Sequence, residues 1–386
     1  MNPNSPTITV GARRASSDSA LELQAAALEL GFDAAAWVDI AIPNPEIQAL
    51  QNWLDAGHHA GMDYLEKSVP RRADIRTTFA PTKSALVLLV SHNHPMPQKP
   101  SGGTRVGRVA RYAWSKDYHT TLKPVLTQLE QIATQLGLQA KATIDHAPIL
   151  ERGLAARAGL GWHGRSSQLI STKLGALTTL AVLLTDLPPS SGVLPSHPDR
   201  CGTCTACIAC CPTDAILPNR TLDSRRCIAY YTVEHRGAVP LELRPKFSDH
   251  LFGCDDCLDI CPWTTHTGRF SSLLTPDPEL VFPNLEPWFL ESGRWFEKHY
   301  AQTAFSRARR KGMARNAAIV LGNNANAAHS WLLERGLTDL GWEVRETCAW
   351  ALGRSGNTKP LESHKDLDER VQQTVKKALG GEFIVI

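Results

Sequence analysis

Nine of the ten cysteines in this 386-residue chain fall between positions 201 and 261, at spacings that suit metal–sulfur chemistry. Cys201, Cys204, Cys207 and Cys211 form a C-x2-C-x2-C-x3-C run followed by Pro212. Cys254, Cys257 and Cys261 form C-x2-C-x3-C followed by Pro262, and Cys227 stands alone between the runs. This is the spacing of a bacterial-type ferredoxin with two [4Fe–4S] clusters, in which the Cys-Pro thiolate of each run ligates the other cluster. One cluster then takes Cys201, Cys204, Cys207 and Cys261. The second takes Cys211, Cys254, Cys257 and the isolated Cys227, which replaces the cysteine missing from the second run. Structural zinc pairs two knuckles of two ligands each, whereas these runs go three deep. Disulfides suit small secreted domains, not a chain of this length without a secretion signal. Cys210 is left unligated, and Cys348 reads as a small core residue in an apolar helical pattern.

The elements that position these thiols require a chain of two or three domains, which the length allows. The chain is 42% hydrophobic and 20% charged, ordinary for a globular protein, and its net charge of +3 does not by itself imply a nucleic-acid partner. Positions 1–18 read as a polar tail without the apolar core of a signal peptide. No run approaches the roughly 20 apolar residues of a membrane span. Clusters and free thiols together imply a reducing, cytoplasmic setting. From 19 to 190, helical and strand patterns alternate: helices over 19–30 and 46–57, strands over 34–40, 84–90, 140–145 and 177–187, and a long amphipathic helix ending at Gly137. That alternation predicts an α/β or α+β sandwich. No GxGxxG or Walker loop is present, so neither a nicotinamide nor a P-loop fingerprint holds a cofactor. Ser91, His92 and Asn93 close a buried strand, either lining a ligand site or simply leaving the core. Asp145 closes another. It could be a general acid kept protonated by apolar neighbours, or the N-cap of the helix that follows.

The cluster region spans about 191–275, and 276–386 reads as helical. The Leu-Gly pairs at 321–322 and 352–353 recur 31 residues apart, as in short helical-hairpin repeats of the HEAT type. The stretch 306–316 carries five basic residues in eleven, which is either a solvated helix face or a phosphate-contacting patch. With ~190 residues before the clusters and ~125 after, the chain reads as a reductase rather than a stand-alone electron carrier.

The segments MDYLEK (62–67), RVARYAWSKDYH (108–119), IDHAPILERGLAARAGLGWHGRSS (144–167), the cysteine run from 201, RRCIAYYT (225–232), LFGCDDCLDICPW (251–263) and RKGMARNAAIVLGN (310–323) together resemble the epoxyqueuosine reductases, from about residue 45 to 357. The most specific pieces are ARAGLGW (156–162) and the Asp117-Tyr118-His119 triplet. The resemblance implies an α+β architecture in three parts: a cobalamin-binding α/β domain, a ferredoxin-like domain with two [4Fe–4S] clusters, and C-terminal α-helical HEAT-like repeats that embrace tRNA. It implies removal of the epoxide oxygen of epoxyqueuosine at the tRNA wobble position, giving queuosine. Electrons would pass through both clusters to cobalamin held with its lower base detached, and Asp145 would be the proton donor. The implied cobalamin contacts are Arg72, Ala110, Arg111, Tyr112, Asp145, Ser166, Ser167 and Leu169. Arg165-Ser166 replaces the family's commoner Lys-Asn, and Cys210 replaces an Ala. For the anticodon stem-loop the implied contacts are Arg152, Arg310, Lys311 and Arg315. A monomer fed by an external flavodoxin or ferredoxin, with no membrane partner, completes the expectation. Two alternatives differ in kind. One is a dehalogenase-like cobalamin reductase, whose exported members carry a twin-arginine signal; Arg13-Arg14 is not followed by an apolar stretch. The other is a non-catalytic electron-transfer protein, which would need neither cobalamin nor Asp145.

Overall fold

The structure, a computed structural model, describes residues 16–100, 105–189, 197–268 and 270–384. Most of the polar tail, with Arg13-Arg14, lies outside them. Among the described residues there are eight strands: β1 (Ala34–Asp39), β2 (Ser84–Ser91), β3 (Arg108–Val109), β4 (Ala140–Thr143), β5 (Trp162–His163), β6 (Leu169–Ile170), β7 (Thr178–Thr185) and β8 (His250–Phe252). The main sheet has the order β1-β2-β7-β4, and every pairing in it is antiparallel. The alternation of helix and strand thus yields an α+β layer, not a parallel α/β sheet. β2 reads as an unbroken apolar run because both sheet faces are covered. Leu86, Leu88 and Val90 point to the helices Ser16–Glu29 and Tyr118–Gln135, meeting Leu23, Ala27, Leu122 and Leu129. Ala85, Val87 and Leu89 point the other way, to Leu154, Ala155 and Ala158 on and just after the helix Glu151–Arg157. The side-chain period of two sends alternate residues to opposite cores.

The polar end of β2 is structural. Ser91 and His92 are buried, the Asn93 amide donates to the Thr264 carbonyl at 2.9 Å, and the Ser271 N–H donates to the Ser91 carbonyl. Burial pushes the His92 imidazole down to about 3, so it stays neutral. These residues fasten the sheet to the cluster region. A second fastening is the short parallel pair of β3 and β8.

The division expected at residue 276 is not a packing boundary. Val109, Ala113 and Trp114, then Phe247 and Phe252, share one core with Trp288, Phe305 and the C-terminal helices. Among those helices, Arg309–Asn324, Trp342–Arg354 and Glu369–Leu379 pack in succession. The repeated glycines explain the 31-residue period. A Cβ on Gly322 would lie 2.7 Å from the Trp350 ring and 2.9 Å from Ala351 Cβ, and one on Gly353 would lie 2.6 Å from Ala378 Cβ. Each glycine therefore sits where one helix crosses closest to the next.

A buried ion pair locks this stack to the cluster half. Arg244 Nη2 donates to both Glu346 oxygens at 2.9 and 2.7 Å, Thr374 donates to the same carboxylate, and the guanidinium lies over the Trp350 ring. Removing one partner strands the other charge in the core. Glu346→Ala should lower unfolding free energy by about 3–5 kcal/mol, measured by urea denaturation; a loss below about 1 kcal/mol would mean the pair is not a structural lock.

Candidate active site and cluster centres

The cysteine runs fold as tight turns around two one-turn helices, Ala206–Ala209 and Asp256–Asp259. Short turns of this kind let every third residue face a common point. Cys201, Cys204, Cys207 and Cys261 line one cleft of about 430 Å³ together with Cys257, Arg165, Ser166 and Ile170. Trp162 Nε1 donates to Cys201 Sγ at 3.4 Å. The other four thiols also lie together: Cys227 and Cys211 act on one another electrostatically, as do Cys257 with both and Cys254 with Cys227 and Cys257. The Ala215 N–H donates to Cys211 Sγ at 3.2 Å. Burial pushes the Cys227, Cys254 and Cys257 thiols up. Crowded buried thiols of this kind ionise when metal displaces their protons. All ten cysteines are free of disulfides. Cys210 turns its Sγ to the Cys207 and Asp256 carbonyls at 3.4 and 3.5 Å.

The segments that bring Cys227 and Cys254 together are pinned by two neighbouring residues of the helix Arg309–Asn324. Arg315 is 1% exposed and donates to the carbonyls of Tyr231, His235 and Gly237. Asn316 donates to the carbonyls of Thr232 and Leu251, each at 2.9 Å. The expectation that Arg315 touches RNA is therefore corrected: its five donors are consumed inside the protein. Arg310 is partly buried, its guanidinium in a two-pronged ion pair with Asp339 at 2.9 and 2.7 Å. Lys311 is exposed, and so are Arg307 and Arg309, which the sequence reading passed over. Arg307 is paired with Glu234 and lies 6.0 Å over the ring of Tyr64.

Asp145 follows β4 in a left-handed conformation, φ 53°. Its carboxylate accepts the Tyr118 hydroxyl at 2.5 Å, and its N–H donates to Glu151 Oε1 at 2.9 Å. Both expectations for its surroundings are corrected. The residue is exposed, not sunk among apolar side chains, and the helix Glu151–Arg157 has Leu150 at its N-cap with no side-chain cap. Its neighbours are polar. Burial, then the Asp145 charge, pushes the Glu151 carboxyl up to about 8. Burial and the same charge push the Tyr118 phenol up. The hydrogen bond that the His119 imidazole donates to the Asp117 carboxylate raises His119. Arg72 reaches the Ile149 carbonyl at 3.0 Å from this side, and Arg152 donates to the Ser167 carbonyl. Tyr118 and Glu151 are the residues the sequence reading missed. Tyr118 was within reach, since it belongs to the distinctive Asp-Tyr-His triplet; Glu151, six residues after Asp145, carried no signal of its own.

The remaining expected contacts divide. The Tyr112 ring stands 6.3 Å from that of Tyr118, facing the same region. Ala110 gives its N–H to the Phe252 carbonyl in the β3–β8 seam. The Arg111 guanidinium is held by the carboxylates of Asp255 and Asp259 and the His94 carbonyl. The Leu169 side chain lies in the core beneath the sheet. Ser167 turns at φ 67° and donates to the Arg220 carbonyl at 3.1 Å. Ser166 is buried with no partner for its hydroxyl, and Arg165 Nε is equally unpartnered. Cys227→Ser should drop bound iron and sulfide from about eight to about four per chain after anaerobic reconstitution. An unchanged count would remove Cys227 from the ligand set.

Residues 200–264 match the family model for a 4Fe-4S double cluster binding domain, and residues 72–146 match that for epoxyqueuosine reductase QueG, DUF1730. An epoxyqueuosine reductase of Cellulophaga algicola is 34% identical over 299 residues, 76% of this chain and 95% of that protein. One from Pseudomonas aeruginosa is 35% identical over 357 residues, 86% of this chain and 92% of that protein. The crystal structure of an epoxyqueuosine reductase with an epoxyqueuosine-modified tRNA stem loop superposes with a TM-score of 0.87 at 26% identity, over 95% of this chain and 99% of the other. The Bacillus subtilis epoxyqueuosine reductase, in a form with its catalytic aspartate loop swung out of the active site, gives 0.86 at 26% identity, over 96% and 100%. With such identity spread along nearly the full length of these relatives, the chain belongs to the epoxyqueuosine reductase family.

Proposed function

We propose that the chain reduces the epoxide of epoxyqueuosine in tRNA to the alkene of queuosine. The carrying observation is an exposed carboxyl, Asp145, held by the Tyr118 hydroxyl at 2.5 Å and within the field of Arg307 on the exposed basic face. The reaction consumes two electrons and two protons and releases the epoxide oxygen as water. Two [4Fe–4S] clusters, one on Cys201, Cys204, Cys207 and Cys261 and one on Cys211, Cys227, Cys254 and Cys257, would pass the electrons inward from an external flavodoxin- or ferredoxin-type donor. Cobalamin, bound with its lower base detached, would supply the low-potential cobalt chemistry at the epoxide carbon. The residues fit such a group. The Ser166 hydroxyl and Arg165 Nε are buried polar atoms without partners, both in the wall of the cleft that the first thiol set lines, and Arg152 ties the next residue, Ser167, to the surroundings of Asp145.

Asp145 would deliver a proton to the departing oxygen. The Tyr118 hydroxyl orients its carboxylate through Oδ2. Arg72 and Arg152 lie close enough for their positive charge to be felt by the acidic pair of Asp145 and Glu151, which favours binding of an anionic substrate backbone. Arg307 acts on the same carboxylate from the helical side. The basic face of Arg307, Arg309 and Lys311 would therefore run up to the Asp145 mouth. Along it the HEAT-type helices would hold the anticodon stem-loop. No helix among the described residues is long and apolar enough to cross a membrane. The chain would act as a monomer on tRNA in the cytoplasm.

The deciding test is anaerobic turnover of epoxyqueuosine-containing tRNA with cobalamin and a reductant, nucleosides read by mass spectrometry. Conversion should need both cobalamin and intact clusters; no conversion with cobalamin demonstrably bound would refute the substrate. Asp145→Asn should bind cobalamin and RNA as the parent does while turnover falls about 10²–10⁴-fold. Unchanged turnover would remove Asp145 from the chemistry. Reversing Arg309 and Lys311 to Glu should weaken RNA binding and flatten the dependence of log K on log salt by about two charges' worth. An unaltered slope would return that face to plain solvent.

A further inference from the structure

Asp145 occupies a conformation that L-residues disfavour, φ 53°, at a turn whose neighbours Asp145 and His146 are both exposed. A short exposed turn with left-handed backbone needs outside support to hold one geometry. Two bonds supply it. The Tyr118 hydroxyl comes from the helix Tyr118–Gln135 and grips the side chain, while Glu151, first residue of the helix Glu151–Arg157, takes the backbone N–H at 2.9 Å. Tyr118 is itself seated: its helix is capped by Asp117, and its ring stacks on His119 with centroids 4.2 Å apart. In the Bacillus subtilis relative a catalytic aspartate loop is seen swung out of the active site; a turn free to do the same would need a latch.

We propose that Glu151 is the positioning residue of this turn, a latch that keeps Asp145 directed into the site by accepting its backbone N–H. This rests on the reading of Asp145 given under Proposed function. The latch needs reach and an acceptor oxygen rather than a charge. Burial keeps the Glu151 carboxyl largely neutral around pH 7, and a neutral carboxyl still accepts through its carbonyl oxygen. The competing role is helical: an acidic residue in a first turn stabilises the macrodipole through its charge. The two roles make opposite demands on the side chain.

Three variants separate them. Glu151→Gln keeps reach and acceptor and cannot ionise; Glu151→Asp keeps an ionisable carboxyl and loses one methylene of reach; Glu151→Ala loses both. Hydrogen exchange at the Asp145 amide and steady-state turnover of epoxyqueuosine-containing tRNA are measured on each reconstituted variant. Under the latch, the Gln variant exchanges and turns over within about twofold of the parent. The Asp and Ala variants exchange about tenfold faster and lose about tenfold in kcat, with KM and RNA affinity unchanged, because the substrate still binds and only the proton donor is misplaced. The idea is overturned if the Asp variant behaves as the parent while the Gln variant resembles Ala, or if amide exchange is the same in all four proteins. Should the parent itself fail to convert the RNA, the reading of Asp145 falls, and the exchange rates alone still decide whether Glu151 holds the turn.

Discussion

Two adjacent side chains in the middle of one helix hold the electron-transfer half of this molecule in shape. Arg315 and Asn316 give their hydrogen bonds to five backbone carbonyls, on the segment after Cys227 and on the strand that leads to Cys254. Two of these carbonyls, on His235 and Gly237, lie outside regular structure just after the helix Tyr230–Glu234, where the Arg315 side chain supplies the donors that a backbone ladder would. Burying a guanidinium costs several kcal/mol unless its donors are matched, and here the matching partners are fixed backbone oxygens. The cost of burial thus enforces the geometry: any displacement of the Cys227 segment would leave donors unpaired in a dry core. The helical half is in this sense a template for the cluster half, which explains why one apolar core runs through both.

How much of this could be read from the chain depended on how local the determinant was. The cysteine groupings were legible because three ligands of each set lie within one turn and the spacing alone fixes their common direction. The Leu-Gly period was legible for a related reason, since a missing Cβ at a helix crossing recurs whenever the crossing does. Asp145 was legible as the end of a strand. Its exposure was not, because Tyr118 arrives from another helix and Glu151 folds back from beyond the turn. Arg310 and Arg315 show the limit most clearly. A basic run on a helix looks the same whether a residue faces water or a carbonyl 80 positions earlier in the chain, and only the tertiary fold chooses. The same holds for strand direction: alternating helices and strands fit parallel and antiparallel sheets alike, and the choice lies in how the connections cross the faces.

The charges around Asp145 follow a simple logic of separation. Two carboxyl groups side by side would repel if both were ionised, and burial resolves this by holding Glu151 up while Asp145 stays in contact with water. Guanidinium groups on either side then face the acidic pair without neutralising it through direct ion pairs; Arg72 and Arg152 are tied instead to the backbone carbonyls of Ile149 and Ser167. Cations anchored on carbonyls keep their field available to an incoming anionic chain. Arg307, by contrast, is already paired with Glu234.

The β3–β8 seam gives the molecule an economy of walls. The same few residues that close one side of the catalytic region, Ala110 to Tyr112, are hydrogen-bonded and ion-paired to Phe252, Asp255 and Asp259, which frame the second cysteine run. The cluster-bearing loop is therefore masonry as well as wiring. Oxidative loss of iron from it would also loosen the wall against which Tyr112 and Tyr118 stand, so that damage at the thiols would reach the surroundings of Asp145 as well.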